Sequence, residues 1–506
     1  MPTYACVSGT GGVASQIHLA SIEGLKVLER GGNAFDAAVA TSSVLTVLLP
    51  NTSSAGGDGF LLTIDSGGEL IGYNGSGRSP QELPTEQYLD EKPIRGPLTV
   101  TVPGLVDLWD WVNENYGSMG LDLLLSKAIS LAREGFYVQE PLARAVQSSN
   151  RVLTAYEGWN KIFGWMKPGS KAYFPRMATI YAAVARRGAD VFYRSSLTED
   201  MVKELREYGV PIVYQDFSEH RGEKTTPIKC EYGDYELYEL PPNTQGLSTL
   251  QLLKSIEVTE LNKLPFESAE RIEEFFKLAV AVYHDRDKHV ADPNYYETPV
   301  DKLLSPTYLR GKLHKEFSGQ SRLNLNDTTF FVTADKYGNI VGFIQSVFHG
   351  FGSGIVVHDM PFQSRGAGFA KKPGVPNSPA PRKRPLHTLS ILLARHGTQG
   401  DHLIGCAGGD LRPQIHAEVF TNIADYKMPL SEAVNAPRHV LTTWAGRRMK
   451  AVVEESDWAR RLPEWSSRIG YPSPSTGIVH AARKRRDGVL EFVADPRGGG
   501  VAACLP

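Results

Sequence analysis

Residues 326–346 constrain this chain more than any other stretch. They read Asn326-Asp327-Thr328-Thr329-Phe330-Phe331-Val332-Thr333-Ala334-Asp335, then Lys336-Tyr337-Gly338-Asn339, then Ile340-Val341-Gly342-Phe343-Ile344-Gln345-Ser346. Apolar residues alternate with others on both sides of a short glycine-containing turn, which is the pattern of a β-hairpin. Alternation puts Thr328 on the face of Phe330, Val332 and Ala334, and Ser346 on the face of Ile340 and Ile344. With Ala334 paired to Ile340, antiparallel register sets Thr328 opposite Ser346, so two hydroxyls meet on an inward face. A threonine at a strand start is by itself an ordinary structural residue. Any chemistry there has to come from its companions.

The rest of the chain is compatible with a large buried core. Of 506 residues, 41% are apolar and 22% charged, and 54 basic against 56 acidic side chains leave a formal charge of -2. Nothing in that balance points to nucleic acid or an anionic membrane as partner. Two short basic runs occur, Arg382-Lys383-Arg384 and Arg483-Lys484-Arg485-Arg486, the second followed by the turn-forming pair Asp487-Gly488. Cys6, Cys230, Cys406 and Cys504 are scattered without a paired spacing, so neither a zinc site nor a disulfide framework is expected. The apolar region 34–49 carries Asp36 and is too short for a membrane span. The opening Met-Pro-Thr-Tyr-Ala-Cys lacks the basic and apolar segments of a secretory signal, so a cytoplasmic location is expected.

In chain order, three-residue spacing of Leu19, Ile22, Leu25 and Leu28 predicts a helix stopped by Gly31-Gly32, and a second helix runs over 34–49 to Pro50. The glycine-rich stretch 51–59 leads into a hairpin of 60–65 and 69–73. It lacks the Lys-Ser/Thr ending of a phosphate loop. Gly9-Thr10-Gly11-Gly12 is not taken as a dinucleotide site, because no clear strand precedes it. Helices are predicted over 121–133, 177–186, 198–208, 247–264 and 269–287, with a strand near 232–240 and a polar loop over 291–327. Further hairpins use 389–395 with 402–406 and 477–482 with 489–494, and a helix covers 414–426. Helices packed on antiparallel sheets follow from this order.

Several runs, in one fixed order, resemble the gamma-glutamyltranspeptidase family. In the C-terminal part these are Asp327-Thr328-Thr329 with its hairpin, Phe351-Gly352-Ser353-Gly354-Ile355, Arg384-Pro385-Leu386, Gly408-Gly409, Asn435-Ala436-Pro437-Arg438 and Asp495-Pro496-Arg497. In the N-terminal part they are residues 31–40, the run Ser53-Ser54-Ala55-Gly56-Gly57-Asp58-Gly59-Phe60, Val102-Pro103-Gly104 and Ala132-Arg133-Glu134-Gly135-Phe136. The resemblance implies an α+β fold, the four-layer αββα sandwich of N-terminal-nucleophile hydrolases with additional helices. It also implies that Thr328 attacks the Asp327 carbonyl and frees itself as a new N-terminus, dividing the chain into segments 1–327 and 328–506 that remain one intertwined unit. A threonine hydroxyl needs a base beside it, and a terminal threonine carries one in its own α-amine, whose ordinary pKa is about 7.7–8.0.

By the same resemblance, Ser346 matches the second hydroxyl that orients the nucleophile, Gly408 and Gly409 match the oxyanion-binding glycine pair, and His387 and Thr388 match a serine pair that holds substrate. Three positions depart from the pattern that recognises a gamma-glutamyl group. Ser76 stands at the position of an arginine, Phe348 at that of an asparagine, and Gly368 at that of an aspartate. Each lost partner would leave a charged substrate group unpaired, at about 1–3 kcal/mol. Arg78 and Arg365 lie near these positions and suit a carboxylate, which is similar to the acylase and oxamate-amidohydrolase branch of the family. The expected activity is hydrolysis of a small amide through an acyl-Thr328 ester, with no cofactor or metal. A working gamma-glutamyltransferase or glutathione hydrolase, and an unprocessed binding protein on the same scaffold, are the alternatives. Whether two cleaved units pair is left open.

Overall fold

The computed structural model describes residues 5–266, 268–313, 320–325, 328–446, 448–457, 459–462 and 466–506. Asn326 and Asp327, and with them the expected cleavage junction, lie outside the described residues.

The hairpin forms as the alternation requires. Strands Thr329–Asp335 and Ile340–Ser346 pair from Thr329 with Gln345 to Ala334 with Ile340. They occupy the middle of a seven-stranded antiparallel sheet ordered Val501–Cys504, Gly11–Ser15, Thr329–Asp335, Ile340–Ser346, Asp58–Ile64, Leu70–Asn74 and Glu223–Thr225. A second seven-stranded antiparallel sheet runs Ala5–Ser8, Leu490–Ala494, Ile478–Lys484, Gly400–Ala407, Leu392–His396, Tyr235–Glu239 and Ile228–Tyr232. Segments before and after the junction contribute strands to both sheets.

Because side chains alternate across each strand, the hairpin serves two cores at once. Phe330, Val332, Ala334, Ile340 and Ile344 meet Leu393, Leu403 and Phe492 of the second sheet and Leu389 and Ile391 just ahead of its strand Leu392–His396. Phe331, Val341 and Phe343 face helices Ala34–Leu48 and Leu105–Tyr116. On the far side, Leu392, Ala394, Ile404 and Val479 of the second sheet pack on helices Gly246–Val258, Ala269–His289 and Arg412–Ala424. The result is the expected four-layer αββα sandwich. The sheets approach closely where Gly405 lies against the Phe330 ring, since a Cβ there would stand 2.5 Å from a ring carbon.

Helix Ala34–Leu48 is buried on all sides, so its N-terminus needs internal partners. Asn33 and Asp36 form a capping box, and the Asp335 carboxylate, at the hairpin turn, accepts from Ala34 N at 2.8 Å. The same carboxylate accepts from Tyr337 N, Asn339 N and Asn339 Nδ2, so one side chain ties the turn to the helix.

Several local expectations are corrected. Cys6 and Cys504 form a disulfide, with Cα atoms 6.1 Å apart, because their edge strands come together although 498 residues separate them in sequence. Spacing could not reveal this. A strand, Ala5–Ser8, does precede Gly9-Thr10-Gly11-Gly12, but a strand and not a helix follows, so the stretch still lacks dinucleotide-site geometry. The predicted helix over 121–133 is divided at Leu125 into Leu121–Leu124 and Ser126–Glu134, and that over 247–264 ends at Val258. The polar loop 291–327 contains helices Val300–Leu304 and Pro306–Leu313. Strand Gln320–Arg322 joins an unforeseen four-stranded sheet with His439–Ala445, Arg448–Glu454 and Ser466–Ile469. Among the described residues, no helix is long and apolar enough to cross a membrane.

The Asp335 link gives a direct test of how the hairpin holds the helix. Asp335→Ala removes four accepted hydrogen bonds from buried or half-buried donors and is expected to destabilise the protein by about 1–3 kcal/mol. The measurement is a lower urea midpoint at unchanged slope.

Candidate active site

The hairpin register carries straight into the site. Thr328 stands one residue before its strand and directly level with Ser346, and its Oγ1 donates to Ser346 Oγ at 3.2 Å. Both residues are 1% exposed. Ser346 Oγ also accepts from Phe348 N at 2.8 Å, which fixes the second hydroxyl from its own chain. Beside them, Thr329 Oγ1 and Thr52 Oγ1 lie 2.6 Å apart, and Val347 N donates to Thr52 O. The glycine-rich stretch is therefore packing material for this corner. A Cβ on Gly57 would stand 2.5 Å from Ser346 O, so only glycine lets the loop approach.

The segment ahead of Thr328 is anchored to the glycine pair. Asn324 N donates to Asp410 Oδ2 at 3.0 Å, and Asp410 N returns a bond of 3.0 Å to Asn324 O. Gly408 follows strand Gly400–Ala407, and Gly409 has φ +53°, a conformation glycine adopts without strain. Gln245 Nε2 donates to Gly409 O at 2.8 Å and to Thr388 O at 2.9 Å, while Arg286 bridges Gln245 Oε1 and Asp410 Oδ1. Gln245, Arg286 and Asp410 hold the turn; the sequence reading assigned none of them a role.

Of the two arginines singled out, Arg365 is the buried one. Its guanidinium lies over the Phe348 ring, 4.2 Å from the centroid, and NH1 donates to Thr388 Oγ1 at 3.3 Å. Its Nε and NH2 have no hydrogen-bond partner among the described residues. Burial brings its pKa down to about 9, against the opposing pull of Asp58, so it remains a cation at neutral pH. Arg78 is partly exposed and paired with Glu223 at 3.2 Å. It lines a surface cavity of about 210 Å³ with Arg382, Glu219 and His220. Glu223 also pairs with the buried Arg384, at 2.9 Å.

His387 sits opposite the first sheet. Its Nδ1 accepts from Leu389 N, so Nε2 carries the proton and donates to Asp58 Oδ2 at 3.1 Å. Burial, with Arg365 and Arg412 adding to it, holds this imidazole well below its usual pKa and therefore neutral. Asp58 belongs to the quoted glycine-rich run but drew no role from sequence. It is fully buried, and Oδ1 accepts from Gly77 N, Gly104 N and Gln363 Nε2 at 3.1, 3.1 and 2.9 Å.

The three departures from the family pattern have distinct structural counterparts. Ser76 is occupied by Asn74, whose Oδ1 accepts from Ser76 Oγ at 2.6 Å. Phe348, at φ +78°, forms the shelf under Arg365. Gly368 has no room for a side chain, since a Cβ would lie 2.6 Å from Leu386 O. Among the described residues, no group of three or more His, Cys, Asp or Glu side chains is gathered as a metal-ligand set.

The family model described as Gamma-glutamyltranspeptidase matches residues 20–505. The "Glutathione hydrolase-like YwrD proenzyme" of Bacillus subtilis is 32% identical over 97% of each chain. The "Oxamate amidohydrolase proenzyme" of Klebsiella pneumoniae is 31% identical over 98% of this chain and 99% of that one. The crystal structure of cephalosporin acylase from Bacillus halodurans matches with a TM-score of 0.89 and 29% identity, over 99% of this chain and 97% of that one.

The close approach at Gly57 yields a prediction for the site. Gly57→Ala forces Cβ against the Ser346 carbonyl and is expected to destabilise by about 1–3 kcal/mol, with slower turnover. Gly311→Ala, where a Cβ meets nothing within 4 Å, is the control and should leave the unfolding midpoint unchanged or raised.

Proposed function

This chain belongs to the gamma-glutamyltranspeptidase family of N-terminal-nucleophile hydrolases, and from that membership we propose that it is a self-activating amidohydrolase with Thr328 as nucleophile. The observation that carries this reading is the buried Thr328–Ser346 contact at the head of the central hairpin.

In the first step Thr328 Oγ1 adds to the Asp327 carbonyl. The Asp327–Thr328 C–N bond breaks, the hydroxyl proton passes to the departing nitrogen, and an ester remains. Water hydrolyses that ester, leaving the Asp327 carboxylate and Thr328 with a free α-amine. That amine is then the base: it takes the Oγ1 proton as the hydroxyl attacks the substrate carbonyl and returns it to the leaving amine. A second water releases the acid. The Gly408–Gly409 turn, held by Gln245 and Asp410, supplies fixed backbone N–H groups for the oxyanion. Segments 1–327 and 328–506 stay together through shared sheets, and the Cys6–Cys504 bridge joins one to the other.

The acyl group is small and carries a carboxylate. A buried guanidinium with two unpartnered nitrogens is costly unless an anion meets it, and Arg365 presents that arrangement. Gamma-glutamyl recognition is disfavoured because Ser76 is engaged by Asn74 and the space at Gly368 is closed.

Thr328→Ala is expected to abolish both chain cleavage and turnover; activity surviving it rejects the mechanism. Arg365→Met should raise KM for succinamate by about 10–100-fold with a smaller effect on kcat. Glutathione should be inert, and its turnover with acyl transfer to a dipeptide would instead establish a gamma-glutamyltransferase. On denaturing gels the cleaved protein should run as one band without reductant and as two bands with it.

A further inference from the structure

The ladder that sets Thr328 opposite Ser346 continues one strand further. Asp58 is the direct cross-strand partner of Ser346. It lies on the inter-sheet face, in step with Phe60, Leu62 and Ile64. Asp58 and Thr328 therefore flank Ser346 at one level, roughly 10 Å apart at two strand spacings.

We propose that Asp58 is a specificity-determining residue of the Thr328 site: hydrogen-bonded to His387, the chain neighbour of the Thr388 that accepts from Arg365, it sets how much positive charge an acyl group meets, and so selects between anionic and neutral small amides. This rests on the reading of Thr328 as nucleophile.

The groups around Asp58 leave it that role. Its Oδ1 is taken by three donors, whereas Oδ2 has, among the described residues, only the His387 contact and is the oxygen open to a proton. His387 is held neutral and adds no charge. Tyr193, which also feels the Asp58 charge, is pushed far above its usual range and stays neutral. Arg412 acts on His387, and Asp410 acts on Arg365. Arg365 is the cation that interacts with Asp58 most strongly, and each pulls the other toward its charged form. Burial opposes ionisation and pushes Asp58 up to about 7. Below that pH the carboxyl is neutral, and Arg365 meets an anionic acyl group with its full charge. Above it the new negative charge offsets Arg365 and repels the anion.

The test compares kcat/KM for succinamate with that for the neutral amide butyramide between pH 6 and 8.5. Titration of the Thr328 α-amine affects both substrates and cancels in their ratio. The anionic-to-neutral ratio should fall about ten-fold through a step centred near pH 7 in the wild type, the size expected for one nearby charge; that step should be absent in Asp58→Asn, where only the separate loss of the Arg365 proton at higher pH remains. A parallel calorimetric titration with malonate reads anion binding without turnover; its affinity should weaken through the same step near pH 7 in the wild type, and that step should be missing in Asp58→Asn. A flat wild-type ratio, no malonate binding, or the same fall in Asp58→Asn overturns the proposal. If Asp58→Asn does not fold, the wild-type ratio and malonate titration decide alone. Malonate binding with this pH dependence but no amide turnover would sink the amidohydrolase reading and leave the Asp58 pairing standing. Amide turnover at a pH-independent ratio would do the reverse.

Discussion

Everything chemical in this molecule depends on one antiparallel register. Pairing Ala334 with Ile340 fixes the whole ladder, and a slip of one residue would turn Thr328 from the inter-sheet face to the helical face. The register is locked from both sides. Phe330 and Val332 interdigitate with the second sheet, Phe331 and Phe343 stack against each other toward the helices, and the Asp335 carboxylate ties the turn to helix Ala34–Leu48. That rigidity is what lets two short side chains, Thr328 and Ser346, meet in a water-poor corner.

A second constraint is buried charge. Arg365 has no ion pair within hydrogen-bond reach among the described residues, and the nearby Asp58 is held at the edge of ionisation by its own burial. Such an arrangement is unfavourable in an empty protein and favourable once an anion arrives, which is the usual signature of a binding pocket. The family departures fit the same picture. Gly368 is sterically closed, Ser76 is taken by Asn74, and Phe348 has become the shelf beneath Arg365. Under the proposed function, these changes leave Arg365 as the cation that would meet the acyl group.

How much of this the sequence revealed depends on the range of the interaction. The hairpin, its register and the Thr328–Ser346 pairing were legible because a two-residue period survives in a short window. Helices 18–29 and 34–48 were legible through spacing, glycine and proline punctuation. Features built from distant partners were not. Asp58 looked like one residue of a glycine-rich loop until His387, 329 positions later, was placed against it. Cys6 and Cys504 sit at opposite ends of the chain, and only the meeting of two sheet edges pairs them. The four-stranded sheet was missed because strand Gln320–Arg322 lies in a polar segment and gains its place by pairing with His439–Ala445. Arg78 and Arg365 looked equivalent in sequence, and burial together with the pairing of Arg78 to Glu223 separates them.

The central claim is that Thr328 becomes a chain terminus, and intact mass with N-terminal sequencing of the purified, incubated protein tests it most directly. After reduction of the Cys6–Cys504 bridge, the account predicts two chains, the smaller beginning at Thr328, whose masses sum to that of the reduced precursor plus one water. A single uncut chain of about 55.6 kDa with an amidase activity that survives Thr328→Ala would contradict it.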